Sequence, residues 1–280
     1  MRGEISSGGI KRSFHLYVPP AYDPAVPIPL VLMLHGHGTT GRNMEVLTHV
    51  SSVAEAAGFI IAYPDGINKG WNDGRPAFDN GIDDVRFISD LISLLESQYD
   101  IDPTRIYATG MSQGGFMCYR LACEMAGRLA AVSTVAATLS ENLAAGCRPA
   151  RPVPVCIVHG TADPFVPYKG GPVGRRTGRG IGLSVENTVA FWVGVDGCDG
   201  EPVVTRIAPA YPRDPTRITR IAYLNGREGS EVILYRIEGG GHAWPGGYQY
   251  LPVRFIGRGS SQMDAGGAIW EFFERHSRKG

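Results

Sequence analysis

No apolar run in the 280 residues approaches the 18 or so that a membrane-spanning helix needs, so the sequence predicts no membrane partner. Neither charge is in excess, with 27 Lys and Arg against 27 Asp and Glu, and no basic block is long enough to track a phosphate backbone. Nucleic acid is therefore not an expected partner. The five cysteines, at 118, 123, 147, 156 and 198, lack the CxxC spacing of a zinc knuckle or redox site, and no HExxH is present. A chain without these patterns predicts neither metal nor cofactor. The odd cysteine count leaves at least one free thiol. Cys118 and Cys156 lie in apolar stretches and read as buried thiols, whereas the turn-like surroundings of Cys147 and Cys198 are compatible with a disulfide. The opening MRGEISSGGIKRSF lacks the apolar segment of a secretory signal, which makes a cytoplasmic location the expectation. There is also no internal repeat and no low-complexity linker, so residues 1–280 read as one domain. The oligomeric state is not written in these features.

What the chain does contain is an alternation of short apolar runs with longer amphipathic ones. Segments 13–18, 29–36, 59–64, 105–110, 130–136, 153–160 and 232–239 read as strands, several of them apolar on both faces as a buried parallel sheet requires. Between them, 43–57, 84–99, 113–126, 184–195 and 263–276 carry apolar residues at helical spacing, with Asp83 and Ser184 as N-caps. The alternation predicts an α/β fold with a doubly wound, mostly parallel sheet. Two segments rich in Gly, Pro and Arg, 164–183 and 208–220, read as long loops.

Glycine marks the chemistry. In RIYATGMSQGGFM, Gly110-Met111-Ser112-Gln113-Gly114 forms G-x-S-x-G directly after a strand and directly before a helix. That is the setting of a nucleophile elbow, in which flanking glycines let strand and helix backbones pass closely while the serine takes a strained conformation. A capping serine on an ordinary β-to-α turn is the plainer alternative. A nucleophilic Ser112 needs an acid and then a base further along the chain. Asp163 follows the buried strand in VPVCIVHGTADPFVPY, with Asp196 and Asp199 as competitors, and His242 lies in the glycine loop GGGHAWPGG, with His159 as its competitor. LVLMLHGHGTTG ends a strand in His-Gly-x-Gly, resembling the oxyanion loop of lipases and esterases. The expected oxyanion amides are those of Gln113 and His37, with Gly38 as the alternative to His37.

LHGHG, GWNDGRP, GMSQGGFMCYRLACE, HGTADPFVPY and GGGHAWPGG, in this order, resemble the polyhydroxybutyrate depolymerase-like esterases, a group overlapping the feruloyl and acetylxylan esterases of the first carbohydrate-esterase family. The resemblance spans about residues 10 to 276 and implies an α/β-hydrolase fold without a large cap domain. It also implies a Ser112, His242, Asp163 triad, and a secreted setting for many relatives. From its position in GWNDGR, Trp71 is expected to wall the active-site cleft, and Trp244 is expected to do so from its place two residues after the base. Many relatives carry a cysteine near 222–229 that would pair with Cys198; here that stretch has none.

The expected function is a serine carboxylesterase working through an acyl-enzyme. Hydroxycinnamate (feruloyl) esters are the favoured substrates, including esterified plant-polysaccharide fragments from cell-wall degradation. An acetylxylan or other short-acyl esterase and a polyester depolymerase are the alternatives. A prolyl-oligopeptidase-type peptidase would need a propeller domain for which there is no room, and a non-catalytic binding protein of the same fold would not need all three triad residues in order.

Overall fold

The computed structural model describes residues 1–174 and 178–278. Its sheet strands are β1 (Arg2–Ser7), β2 (Ile10–Tyr17), β3 (Ile28–Leu34), β4 (Ile60–Pro64), β5 (Ile101–Met111), β6 (Ala131–Val135) and β7 (Val155–Gly160). A two-stranded hairpin, β8 (Gly171–Pro172) and β9 (Ile181–Gly182), precedes the last three strands, β10 (Val203–Ile207), β11 (Arg217–Tyr223) and β12 (Val232–Glu238). The α-helices are α1 (Gly41–Thr48), α2 (Val50–Ala57), α3 (Asp84–Gln98), α4 (Gln113–Glu124), α5 (Glu141–Gly146), α6 (Val185–Asp196), α7 (Val253–Ile256) and α8 (Ala265–Phe273).

Ten strands form one sheet in the order β1-β2-β4-β3-β5-β6-β7-β12-β11-β10. The six from β4 to β12 run parallel, and antiparallel strands extend both edges. All residues of β3, β4, β6 and β7 are buried, which is why their apolar runs are continuous. Side chains alternate between the sheet's two faces: Leu30, Leu32 and Leu34 join one apolar cluster with α3, α4 and α6, while Val31 and Met33 join another with α1, α2 and α8. This architecture is an α/β-hydrolase fold.

Departures from the sequence reading have local causes. The helix expected over 43–57 is two helices, broken at His49, whose φ is 54°. The Thr48 hydroxyl bonds back to the Met44 carbonyl at 2.9 Å, competing with helix continuation. Strand β10 has an almost wholly exposed sequence and β1 has exposed residues at alternate positions, so neither left an apolar run to read. The segment 208–220 is not all loop, because β11 begins at Arg217. Within 164–183 the β8–β9 hairpin supplies order, while the expected loop residues Arg175, Arg176 and Thr177 lie outside the described residues. The N-caps are as expected: Asp83 accepts from Arg86 N and Ser184 from Asn187 N.

A disulfide joins Cys123 on α4 to Cys147 after α5, while Cys118 and Cys156 are buried free thiols and Cys198 is a half-buried one. Cys147 is thus paired as its setting allowed; Cys198 is not. No helix among the described residues is long and apolar enough to cross a membrane.

Candidate active site

Strand β5 runs into α4 with no intervening loop, and Ser112 sits at the junction with φ 55° and ψ −121°. A non-glycine residue there is strained, and only over-determined surroundings hold it. The flanking glycines explain how. A Cβ on Gly110 would lie 2.6 Å from the carbonyl carbon of Gly114, and one on Gly114 would collide with the Leu34 carbonyl of β3. Gly115 is crowded in the same way by Ala137. Backbone packing thus forces Ser112 outward at the C-terminal end of the sheet, and α4 begins immediately behind it.

Asp163 lies in the turn after β7. Its Oδ1 accepts the Phe165 and Val166 amides at 2.8 and 2.9 Å, and its Oδ2 lies 2.7 Å from His242 Nδ1. Burial pushes this carboxyl up, but the charge and hydrogen bond of His242, the nearby His159 and the Val166 amide outweigh it, leaving its pKa below the ordinary value. An ionised Asp163 fixes the His242 proton on Nδ1 and leaves Nε2 as an acceptor. The glycine loop that carries His242 is held by Gly241 N to Arg258 O at 2.8 Å, His242 N to Ile256 O at 2.6 Å, and the Tyr250 hydroxyl donating to His242 O at 3.0 Å. Any side chain on Gly241 would strike the Ile256–Gly257 backbone, which accounts for the glycines in this stretch.

The competitors have other roles. His159 is fully buried, has its pKa lowered by that burial, and donates from Nε2 to Val166 O at 2.9 Å, which braces the acid turn. Asp196 accepts from Val153 N and Asp199 from the Asn225 side chain.

The loop after β3 is tied from several sides. His35 accepts the Gly66 amide at Nε2 and donates from Nδ1 to Gly36 O at 2.7 Å, and burial lowers its pKa, consistent with a neutral ring. Gly38 N is spent on Lys69 O at 2.8 Å, which removes it as the alternative oxyanion donor. The amides of His37 and Gln113 have no partner among the described residues. The two residues are also linked by side chains, with His37 Nδ1 3.2 Å from Gln113 Oε1, and Gln113 Nε2 donating to Trp71 O at 2.9 Å.

Trp71 and Trp244 do not wall the cleft. Trp71 is 1% exposed; its Nε1 donates to His35 O at 2.8 Å and its ring packs on His35, so it is a strut beneath the loop. The rest of GWNDGR is buried with it: Asn72 N donates to Asp84 Oδ2, and Asp73 holds Arg75 through both carboxylate oxygens. Trp244 is equally buried, packed against β3 and α8 in the second apolar cluster.

A cavity of about 470 Å³ opens over Ser112 and His242. Its aromatic walls are Phe165, Tyr248 and Tyr250, and Leu47, Leu251 and Ile256 add aliphatic surface. Phe165 also lies 5.2 Å from the His242 ring. These residues escaped the sequence reading, although Phe165 stands two positions after the acid and YQYLP directly follows the glycine loop. Aromatics in polar, proline-bearing turns give no periodicity, and proximity to a motif was their only signal.

Similarity to known proteins is extensive. The putative esterase NocK of Nocardia uniformis subsp. tsuyamanensis is 32% identical over 96% of this chain and 81% of its own length. Feruloyl esterase C of Emericella nidulans is 31% identical over 94% of this chain and 83% of its own. Feruloyl esterase B of Piromyces equi is 32% identical over 77% of this chain, which spans only 39% of that protein. Among solved structures, the acetyl xylan esterase from Aspergillus awamori superposes with a TM-score of 0.62 over 98% of this chain and 99% of its own, at 16% identity, a likeness of fold alone. Residues 12–163 match the esterase PHB depolymerase family, and with these relatives the match identifies the chain as a member of that family, an α/β-hydrolase that hydrolyses carboxylic esters.

Proposed function

We propose that this esterase works through a Ser112, His242, Asp163 triad and cleaves hydroxycinnamate esters. The observation that carries the reading is the convergence in one cavity of a strained, outward Ser112 and of His242 bonded to Asp163 at 2.7 Å. Ser112 Oγ attacks the ester carbonyl while His242 Nε2 takes its proton, and Asp163 holds the imidazole in the required tautomer. Negative charge forming on the carbonyl oxygen meets the amides of His37 and Gln113, the latter at the positive end of α4. His242 then protonates the departing alcohol. Water, activated by the same imidazole, releases the acid and regenerates Ser112.

The substrate preference rests on the cavity. Its volume of about 470 Å³ and its Phe165, Tyr248 and Tyr250 walls suit an aromatic acyl group better than acetyl. Feruloyl esters of plant-polysaccharide fragments fit that description, and two of the relatives named above are feruloyl esterases. The test compares methyl ferulate with methyl acetate, which shares its alcohol and carries no ring. Tyr248→Ala and Phe165→Ala should each raise KM for methyl ferulate by at least about threefold more than for the acetate, since only the larger group loses a stacking surface of about 0.5–1.5 kcal/mol. Equal effects on both, or brisk acetate cleavage with no ferulate released, would leave a short-acyl esterase.

A further inference from the structure

One side chain in the cavity is not explained by an apolar aromatic substrate. Arg179 lines the same space as Ser112 and His242, and no carboxylate among the described residues does. Among the described residues its guanidinium has neither an ion-pair nor a hydrogen-bond partner, although many other arginines of the chain are engaged with acids or carbonyls. Leaving a half-buried guanidinium unpaired beside apolar walls is costly, and a planar, bidentate fork is best matched by a carboxylate.

Arg179 is also held in place. Its carbonyl accepts from Arg75 Nη1 at 3.0 Å, and Arg75 is itself fixed by the buried Asp73 at 2.6 Å and by the Phe116 ring. The stem of Arg179 crosses Gly174, where a Cβ would stand 3.0 Å from its Cδ. Gly174 N in turn donates to Phe165 O at 2.6 Å, and Val173 N to Gly180 O at 3.0 Å, so both sides of Arg179 are tied to the acid turn and to the β8–β9 hairpin. The buried GWNDGR segment thus reaches the cavity through Arg75, bracing a cation there as well as the oxyanion loop.

We infer that Arg179 selects esters bearing a free carboxylate on the substrate, so that the enzyme prefers half-esters and esters of carboxylated alcohols over their neutral counterparts. This deepens the proposed function and rests on the Ser112–His242 cavity being the reaction site. Two substrate pairs test it and locate the anion: monomethyl adipate against methyl hexanoate for a carboxylate on the acyl side, and 4-acetoxybenzoate against 4-acetoxyacetophenone for one on the alcohol side. The reading is the ratio of kcat/KM for the carboxylate ester over its neutral partner, so that differences in intrinsic reactivity cancel between enzyme variants. Arg179→Gln should lower that ratio about tenfold or more in at least one pair, Arg179→Lys should restore part of it, and 0.5 M NaCl, roughly three times physiological ionic strength, should depress it in the wild type. Ratios in both pairs within about twofold of wild type would overturn the inference. Ser112→Ala separates the two levels. If it abolishes turnover while the ratios ignore Arg179, only the role of Arg179 fails. If it leaves turnover intact, the site itself is wrong, and the inference falls with it.

Discussion

Trp71 shows how far a residue's effect can lie from its own contacts with substrate. Its indole does not reach the cavity, yet its Nε1 holds the carbonyl of His35, two residues before the proposed oxyanion donor His37, and its own carbonyl holds the Gln113 side chain. Trp71→Phe keeps an aromatic ring, at the cost of a small cavity, and removes one donor, leaving a buried carbonyl unsatisfied at about 1–3 kcal/mol. The expected result is a fall in kcat of about tenfold or more with KM changed less than threefold, because the amides are misplaced for the charged intermediate rather than for bound ester. A KM-dominated loss would mean that Trp71 shapes binding instead. His159 acts at shorter range: it is a buried support for the turn that carries Asp163, while His242, which follows Asp163 in the expected order, meets the carboxylate.

At the scale of elements, the Cys123–Cys147 disulfide connects the helix that begins beside Ser112 to α5. Leu139 and Ser140, which lead into α5, meet the β8–β9 hairpin through the Leu183 amide and a bridge to Gly182. The disulfide therefore links α4, through the start of α5, to the hairpin carrying Arg179. Closing a loop with a sequence separation of 24 contributes roughly 3 kcal/mol by restricting the unfolded chain. Urea unfolding of wild type and of the Cys123→Ser, Cys147→Ser double variant should differ by about that amount, and reductant should bring the wild type to the variant's midpoint. Coincident curves without reductant would show the bond to be energetically idle. These elements also mark what could be read beforehand. The parallel strands were legible because burial on both faces writes continuous apolar runs such as PLVLML, and the elbow because glycine is required where backbones touch. Edge strands β1 and β10, short α5 and the hairpin were not, since exposed or very short elements need no distinctive composition. The motif residues of the proposed triad stood out, whereas the cavity walls came from turns whose aromatics face inward or outward only according to tertiary packing: Trp244 turns in, and Tyr248 and Tyr250 line the opening.

Across the whole molecule, the chain's end is fastened to the sheet by Glu231, just before β12. Its Oε1 lies 2.6 Å from Arg275 and 3.0 Å from His276, while the Tyr107 hydroxyl donates to His276 O at 2.7 Å. Burial raises the Glu231 pKa, but the bonds and charges of His276 and Arg275 outweigh it and hold the carboxyl below its usual value. A depressed folded-state pKa contributes stability that is present above the unfolded value of about 4.3 and is lost as pH falls through the folded one. The Tm of Glu231→Gln should therefore lie below that of wild type at pH 7, with the gap narrowing as pH drops below about 4; a gap independent of pH would remove the carboxylate from the explanation. The fold thus ties the segment after α8 to the sheet through this cluster, while turns at the C-terminal ends of β3, β5, β7 and β12 bring the proposed reacting groups to one cavity. The claim that organises all of this is that Ser112 carries the acyl group, and the most direct measurement is peptide mapping by mass spectrometry after reaction with a serine-directed phosphonate. The expected result is a single adduct per chain, located on Ser112, with esterase activity lost in proportion to labelling and Ser112→Ala both unlabelled and at least about 10⁴-fold slower. An adduct on a different serine, or a Ser112→Ala enzyme within tenfold of wild type, would contradict it.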